Sequence, residues 1–89
     1  MKNIRETEAQ LKALANRRRL AILKYLEQKG QASVGSIAAE IKLSFKSTSA
    51  HLLILSTCGL LDREQTSTTV LYRIARPSSA LLKTVLTIL

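Results

Sequence analysis

Little in this chain can hold it together by covalent or metal crosslinks. A single cysteine, Cys58, closes no intrachain disulfide and supplies no thiolate zinc cluster, which excludes the disulfide-scaffold class. The single histidine, His51, has no second histidine or cysteine near it in sequence, so it reads as a packed or phosphate-bonded residue, not a metal ligand. Glycine-rich phosphate loops are absent and no nucleophile motif surrounds any serine, so enzyme chemistry has no support. There is no run of about 18 apolar residues, and the start, "MKNIRETEAQ", is polar. Neither a signal peptide nor a membrane span is read, and a cytoplasmic protein is expected.

Acid is the scarcest ingredient. Six Asp and Glu stand against fourteen Lys and Arg, giving a net charge of +8 and a pI near 10.3. In a chain of 89 residues that balance calls for a polyanionic partner, nucleic acid or an anionic membrane surface. The length suits one domain, residues 1–89, which buries only about 60–65% of its unfolded surface and would gain from a second copy.

What is present is a series of punctuated helices followed by one hairpin. Ile4, Leu11 and Leu14 make a thin apolar stripe on a first helix. Asn16 caps a second helix from Arg17 to about Lys29, and Gly30 ends it. Ser33 caps a short third helix with Ile37, Ala38 and Ile41 inward, and Ser44 caps a fourth that runs to about Cys58 and closes on Gly59 and Leu60. Two short helices joined by "KL" and a capping serine form a helix-turn-helix. The period then changes to two: Leu61, Arg63 and Gln65, then Val70, Tyr72 and Ile74, predict a two-stranded wing around Thr66–Thr69. After Pro77 a last helix, Ala80 to Leu89, is too apolar for water and too short for a bilayer. A winged helix-turn-helix of order α-α-α-α-β-β-α is therefore expected, mainly α with a small β-hairpin. Ile4, Leu11, Leu81, Leu82, Val85, Leu86 and Leu89 are its predicted dimer interface.

The segment "LSFKSTSAHLLIL" carries the functional reading. Thr48, Leu52 and Leu55, with His51 beside them, fall on one helical face suited to the core. Ser44, Phe45, Lys46, Ser47, Ser49, Ala50 and Leu53 are left for a partner, and small residues at the start of a recognition helix let its backbone approach the floor of the major groove. An ordinary solvated helix start is the competing explanation. Arg17, Arg18 and Arg19 open the second helix, where cations oppose the helix dipole, so another interaction should compensate. Phosphates would do so, as would a structural ion pair. Arg63 and Arg73 add basic candidates on the wing. Cys58, at a helix end after "LLILST", reads as an inert core thiol.

In order, these segments resemble the ArsR-type winged-helix repressors. "LKALANRRRLAILKYL" is similar to their opening, with Arg19 on the family's arginine and Asn16 in the break before it. "LSFKSTSAHLLILSTCGLL" is similar to their recognition helix through Ser49, His51, Leu52, Leu55 and the Gly59-Leu60 ending, and "VLYRI" resembles their second wing strand. The likeness spans about Leu11 to Ile74 and implies a homodimer on a palindromic double-stranded DNA operator. Many members bind an inducing metal through a Cys-x-Cys pair where this chain has Ser33-Val34-Gly35, or through histidines and acids on the last helix, where this chain has none. Neither a metal site nor a cofactor is expected, and the effector is left open. The alternative is a winged-helix module that meets protein or RNA, motivated by Phe45 and Leu53 on the supposed reading face.

Overall fold

The computed structural model describes residues 3–89. Five helices and three strands follow in the order α1 (Ile4–Leu14), α2 (Arg17–Lys29), β1 (Ala32–Ser33), α3 (Val34–Ile41), α4 (Phe45–Thr57), β2 (Leu61–Thr66), β3 (Thr69–Ile74) and α5 (Ala80–Ile88). Each helix begins on a short polar side chain that accepts a backbone N–H three residues on. Asn3 accepts from Glu6, Asn16 from Arg19, Ser33 from Ser36, Ser44 from Ser47 and Ser79 from Leu82. These caps are worth about 1 kcal/mol apiece, so the breaks between helices are written into the sequence as firmly as the helices.

The helix ends are equally local. Gly59, at φ 84°, takes the left-handed position after α4, while Leu60 N–H returns to Leu55 C=O at 2.9 Å and Gly59 N–H to Ser56 C=O at 3.2 Å. That pair of bonds is a Schellman motif, and the buried Leu60 is its apolar clasp. The turn between α3 and α4 differs, because Lys42 holds φ 56° with a side chain where glycine would be free of strain.

The wing is a hairpin with Thr66 opposite Thr69, joined by a short third strand that makes the order β1-β3-β2, antiparallel throughout. Ala32 pairs with Tyr72 and Ser33 with Leu71. The two-stranded wing predicted from the sequence is present as β2 and β3, and the short β1, which was not predicted, adds to its edge. A strand of two residues has no period to read, and Ser33 doubles as the α3 cap.

Ile22, Leu23 and Leu26 of α2, Ile37 of α3, Leu52 and Leu55 of α4, Leu60, and Leu82 of α5 are the large, fully buried core side chains. Leu82 was expected at a dimer interface; instead it is fully enclosed by its own protomer. A helix apolar on nearly every side gives no phase from which to tell its core face from its outer face. Leu81, Val85, Leu86 and, just past the helix, Leu89 are half-buried and packed against the same core, while Ile88 is exposed. On α1 the inward residues are Gln10, Ala13 and Leu14, whereas Ile4 and Leu11 face out.

Gln10 ties three elements together and carries no hydrophobic signal. Its side-chain N–H donates to the Cys58 carbonyl at 3.0 Å, closing the end of α4, and its carbonyl accepts from the Ser79 hydroxyl at 3.0 Å, just before α5. A buried amide with both ends engaged fixes α1 against the rest of the domain.

Candidate nucleic-acid interface

The recognition element is α4, held across the body by Thr48, Leu52 and Leu55, all fully buried. With those three inward, helical geometry puts Lys46, Ala50 and Leu53 in a line of neighbours on the outside, flanked by Ser49 and Phe45. Phe45 is 63% exposed and Leu53 65% exposed, which is unusual for side chains of that size and marks a surface awaiting a partner. Ser44 spends its hydroxyl on the cap; exposed Ser47 and half-buried Ser49 have no such duty. From Ile41 to Leu61 there is no acidic residue, so the whole face is cationic or neutral.

The three arginines that open α2 separate into different roles. Arg17 is exposed. Arg19 turns back along its own protomer: its Nε–H donates to the Ala13 carbonyl at 2.7 Å, one Nη reaches the Lys12 carbonyl at 3.5 Å, and the other meets His51 Nδ1 at 3.2 Å. Lys12 and Ala13 lie in the last turn of α1, whose dipole and unpaired carbonyls favour a cation. A charge unfavourable at the start of α2 is therefore favourable at the end of α1. Arg19, expected from the sequence at the DNA, is engaged within its own protomer as a clamp between α1, α2 and α4. Arg18 is half-buried, with one Nη enclosed and unpartnered among the described residues.

His51 is set by that clamp. An arginine only donates, so His51 Nδ1 accepts and the ring proton sits on Nε2. Burial, then the charges of Arg19 and Arg18, hold the imidazole pKa below its ordinary value, so His51 is neutral near pH 7. A neutral ring in this tautomer offers one N–H to a phosphate or base. Cys58 is tuned the opposite way for chemistry. Burial pushes its thiol pKa up, and its Sγ–H lies 3.6 Å from the Leu55 carbonyl, the environment of a packed thiol.

On the wing the pleat divides the two predicted arginines. Arg63 lies opposite Tyr72, on the face of β2 and β3 that carries Leu61 and Ile74; Arg73 lies opposite Asp62 on the other face. Arg73 also donates to the Glu64 carboxylate at 2.6 Å, whereas Arg63 is exposed. The two are not brought together, and Arg63 alone shares the core-facing side of the hairpin. Lys42 was missed by the sequence reading. It is an exposed cation in the turn just before α4, on a left-handed backbone, and nothing in the sequence around it marks that position.

Among the described residues, no three His, Cys, Asp or Glu side chains come together as a metal cluster would require. No helix of the described residues is long and apolar enough to cross a membrane.

Comparison with known proteins agrees with this geometry. Residues 16–63 match the sequence profile of the bacterial regulatory proteins of the arsR family. The transcriptional activator HlyU of Vibrio cholerae is 36% identical over 74 residues, covering 83% of this chain and 68% of its own. The structure of reduced HlyU superposes with a TM-score of 0.78 at 33% identity, covering 94% of this chain and 84% of that one. The homodimeric winged helix-turn-helix DNA-binding domain of Mb0332 from Mycobacterium bovis superposes with a TM-score of 0.82 at 32% identity, covering 96% and 75%. The antimony-specific transcriptional repressor AntR gives 0.78 at 26% identity, covering 93% and 72%. With the profile matched over residues 16–63 and the winged helix-turn-helix shared with these relatives, the chain belongs to the ArsR family of winged helix-turn-helix, DNA-binding transcriptional regulators.

Proposed function

We propose that the protein is a cytoplasmic homodimer that binds double-stranded DNA at a specific inverted repeat and represses transcription by occupying it, without a metal signal. The outer face of α4 carries this reading: small hydroxyls, one lysine and exposed apolar groups, with no acid from Ile41 to Leu61. A helix so furnished suits the major groove, with Arg17, Lys42 and Arg63 available to phosphates. The dimer is supported by the apolar groups left on the two terminal helices, Ile4, Leu11 and Ile88, and by the homodimeric relative from M. bovis. Among relatives both signs of regulation occur, an activator in HlyU and a repressor in AntR. Repression by occupancy asks for no surface beyond the one that holds DNA. The proposal to do without metal rests on Ser33-Val34-Gly35 in place of a cysteine pair and on the engagement of His51 by Arg19.

A salt titration of binding to random duplex is the first test. Affinity should fall steeply with salt as counterions return to the phosphates, and a salt-insensitive interaction would point to a protein-binding module. Transcription in vitro from a promoter overlapping the preferred site should drop when the protein is added; stimulation would reverse the proposed sign.

A further inference from the structure

The exposed face of α4 carries a single side chain able to pair with a guanine edge, Lys46, and is otherwise short of purine readers. Arginine pairs with guanine and asparagine or glutamine with adenine by two hydrogen bonds, and α4 has none of these along Phe45–Thr57. What it exposes is a phenyl ring at Phe45, a methyl at Ala50 and an isobutyl group at Leu53, the first and last each more than half accessible. In the major groove only one base feature is complementary to such groups, the C5-methyl of thymine. The charge around the face fits a polyanion and not an apolar protein surface, since Lys42 and Lys46 stand beside these residues and no acid interrupts the stretch.

We propose that this face reads thymine methyl groups, through Phe45, Ala50 and Leu53, with Ser49 and Lys46 supplying the polar contacts. The inference rests on the regulator reading and names what its site recognises. Each buried methyl excludes water from an apolar contact, and the gain expected of a group that size is about fourfold in affinity. Leu53 and Phe45 thereby do in the complex what they cannot do in water, and their exposure in the free protein is the cost of carrying the reader.

The test uses the whole protein and a duplex selected by it from a random pool. Replacing single thymines by deoxyuridine removes the methyl and leaves the pairing edge and O4 unchanged. Wild type should lose about fourfold in affinity for each contacted position and nothing at others. Replacing cytosine by 5-methylcytosine at a non-preferred C·G pair in the same position should restore part of the loss. Phe45→Ala and Leu53→Ala, both at exposed positions and checked for fold by circular dichroism, should each lose the preference for thymine over uracil at the position that side chain contacts and keep it at the others, with an unchanged salt slope. A wild-type protein that prefers its selected duplex over random sequence yet binds the uracil version equally well would overturn methyl reading while leaving the regulator intact. Recovery of no preferred sequence would overturn both. Full thymine preference in Phe45→Ala and Leu53→Ala would overturn the assignment to these residues.

Discussion

Arg19→Ala should destabilise the protein without changing how its DNA binding responds to salt. The side chain makes a 2.7 Å bond from Nε to the Ala13 carbonyl, a weak 3.5 Å reach to the Lys12 carbonyl and a 3.2 Å contact with His51 Nδ1. A hydrogen bond from a charged donor contributes about 1.5–3 kcal/mol when half-buried, and the 3.5 Å contact adds little. Loss of the Ala13 bond and release of His51 together should cost about 2–3 kcal/mol, a sizeable part of the stability of a small domain. In a chain of this size that lowers Tm by roughly 10–20 °C. The comparison must be made at one protomer concentration, since association stabilises the folded state. Arg19→Lys should recover little, because an ammonium cannot span carbonyl and imidazole in the plane that the guanidinium occupies. Denaturant titration gives the stability, and binding to random duplex across salt concentrations gives the slope. Removing one phosphate contact would lower that slope by about one unit. Unchanged stability with a slope reduced by one would show that Arg19 contacts the DNA backbone and would refute the clamp. An NMR titration adds an independent reading: without the Arg19 charge, the His51 pKa should rise toward its ordinary value.

Other outcomes follow from single residues. Thr48 is fully buried with its hydroxyl unpartnered among the described residues, so the near-isosteric Thr48→Val should raise stability by about 1 kcal/mol in thermal melts; destabilisation would mean that the hydroxyl is bonded. His51 has its pKa lowered on folding, so the unfolded chain takes up the proton first. Its contribution is therefore complete above about pH 6.5 and is lost as pH falls below that value. His51→Gln should melt with a smaller drop in Tm between pH 7.5 and 5.5 than wild type, and an equal drop would contradict the lowered pKa. Ile4→Lys with Ile88→Lys, at positions 88% and 77% exposed, should leave the fold intact and give monomers in sedimentation, with operator affinity reduced by about 10²-fold or more. A double variant that stays dimeric would move the interface elsewhere.

Much of this architecture is legible in the sequence because the signals are local. Asn16, Ser33, Ser44 and Ser79 stand where helices must start, and Gly30 and Gly59 where they must stop, each doing chemistry with residues no more than a turn away. The buried side of α4 follows from the three- and four-residue spacing of Thr48, Leu52 and Leu55. What escapes is decided by contacts distant in sequence. Nothing in "NRRRL" says that Arg19 folds back on Ala13 while Arg17 stays in solvent, and nothing in "EAQLK" says that Gln10 joins Cys58 to Ser79. Leu82 illustrates the same limit, since in "ALLKTVLTIL" the core side is chosen by the partners that surround it. The division of Arg63 from Arg73 follows from the register of β2 on β3, which periodicity gives only once the pairing is known.

Photocrosslinking with 5-iodouracil most directly tests the claim that α4 lies in the major groove, because the iodine takes the position of the thymine methyl on the groove floor. With the label placed in turn at each thymine of the selected duplex, mass spectrometry of the digested complex should find the adducts within Ser44 to Leu53, at positions related by a two-fold axis and about one helical turn, or a small multiple, apart. Adducts confined to the wing around Thr66–Thr69, or to α1 and α5, would contradict it.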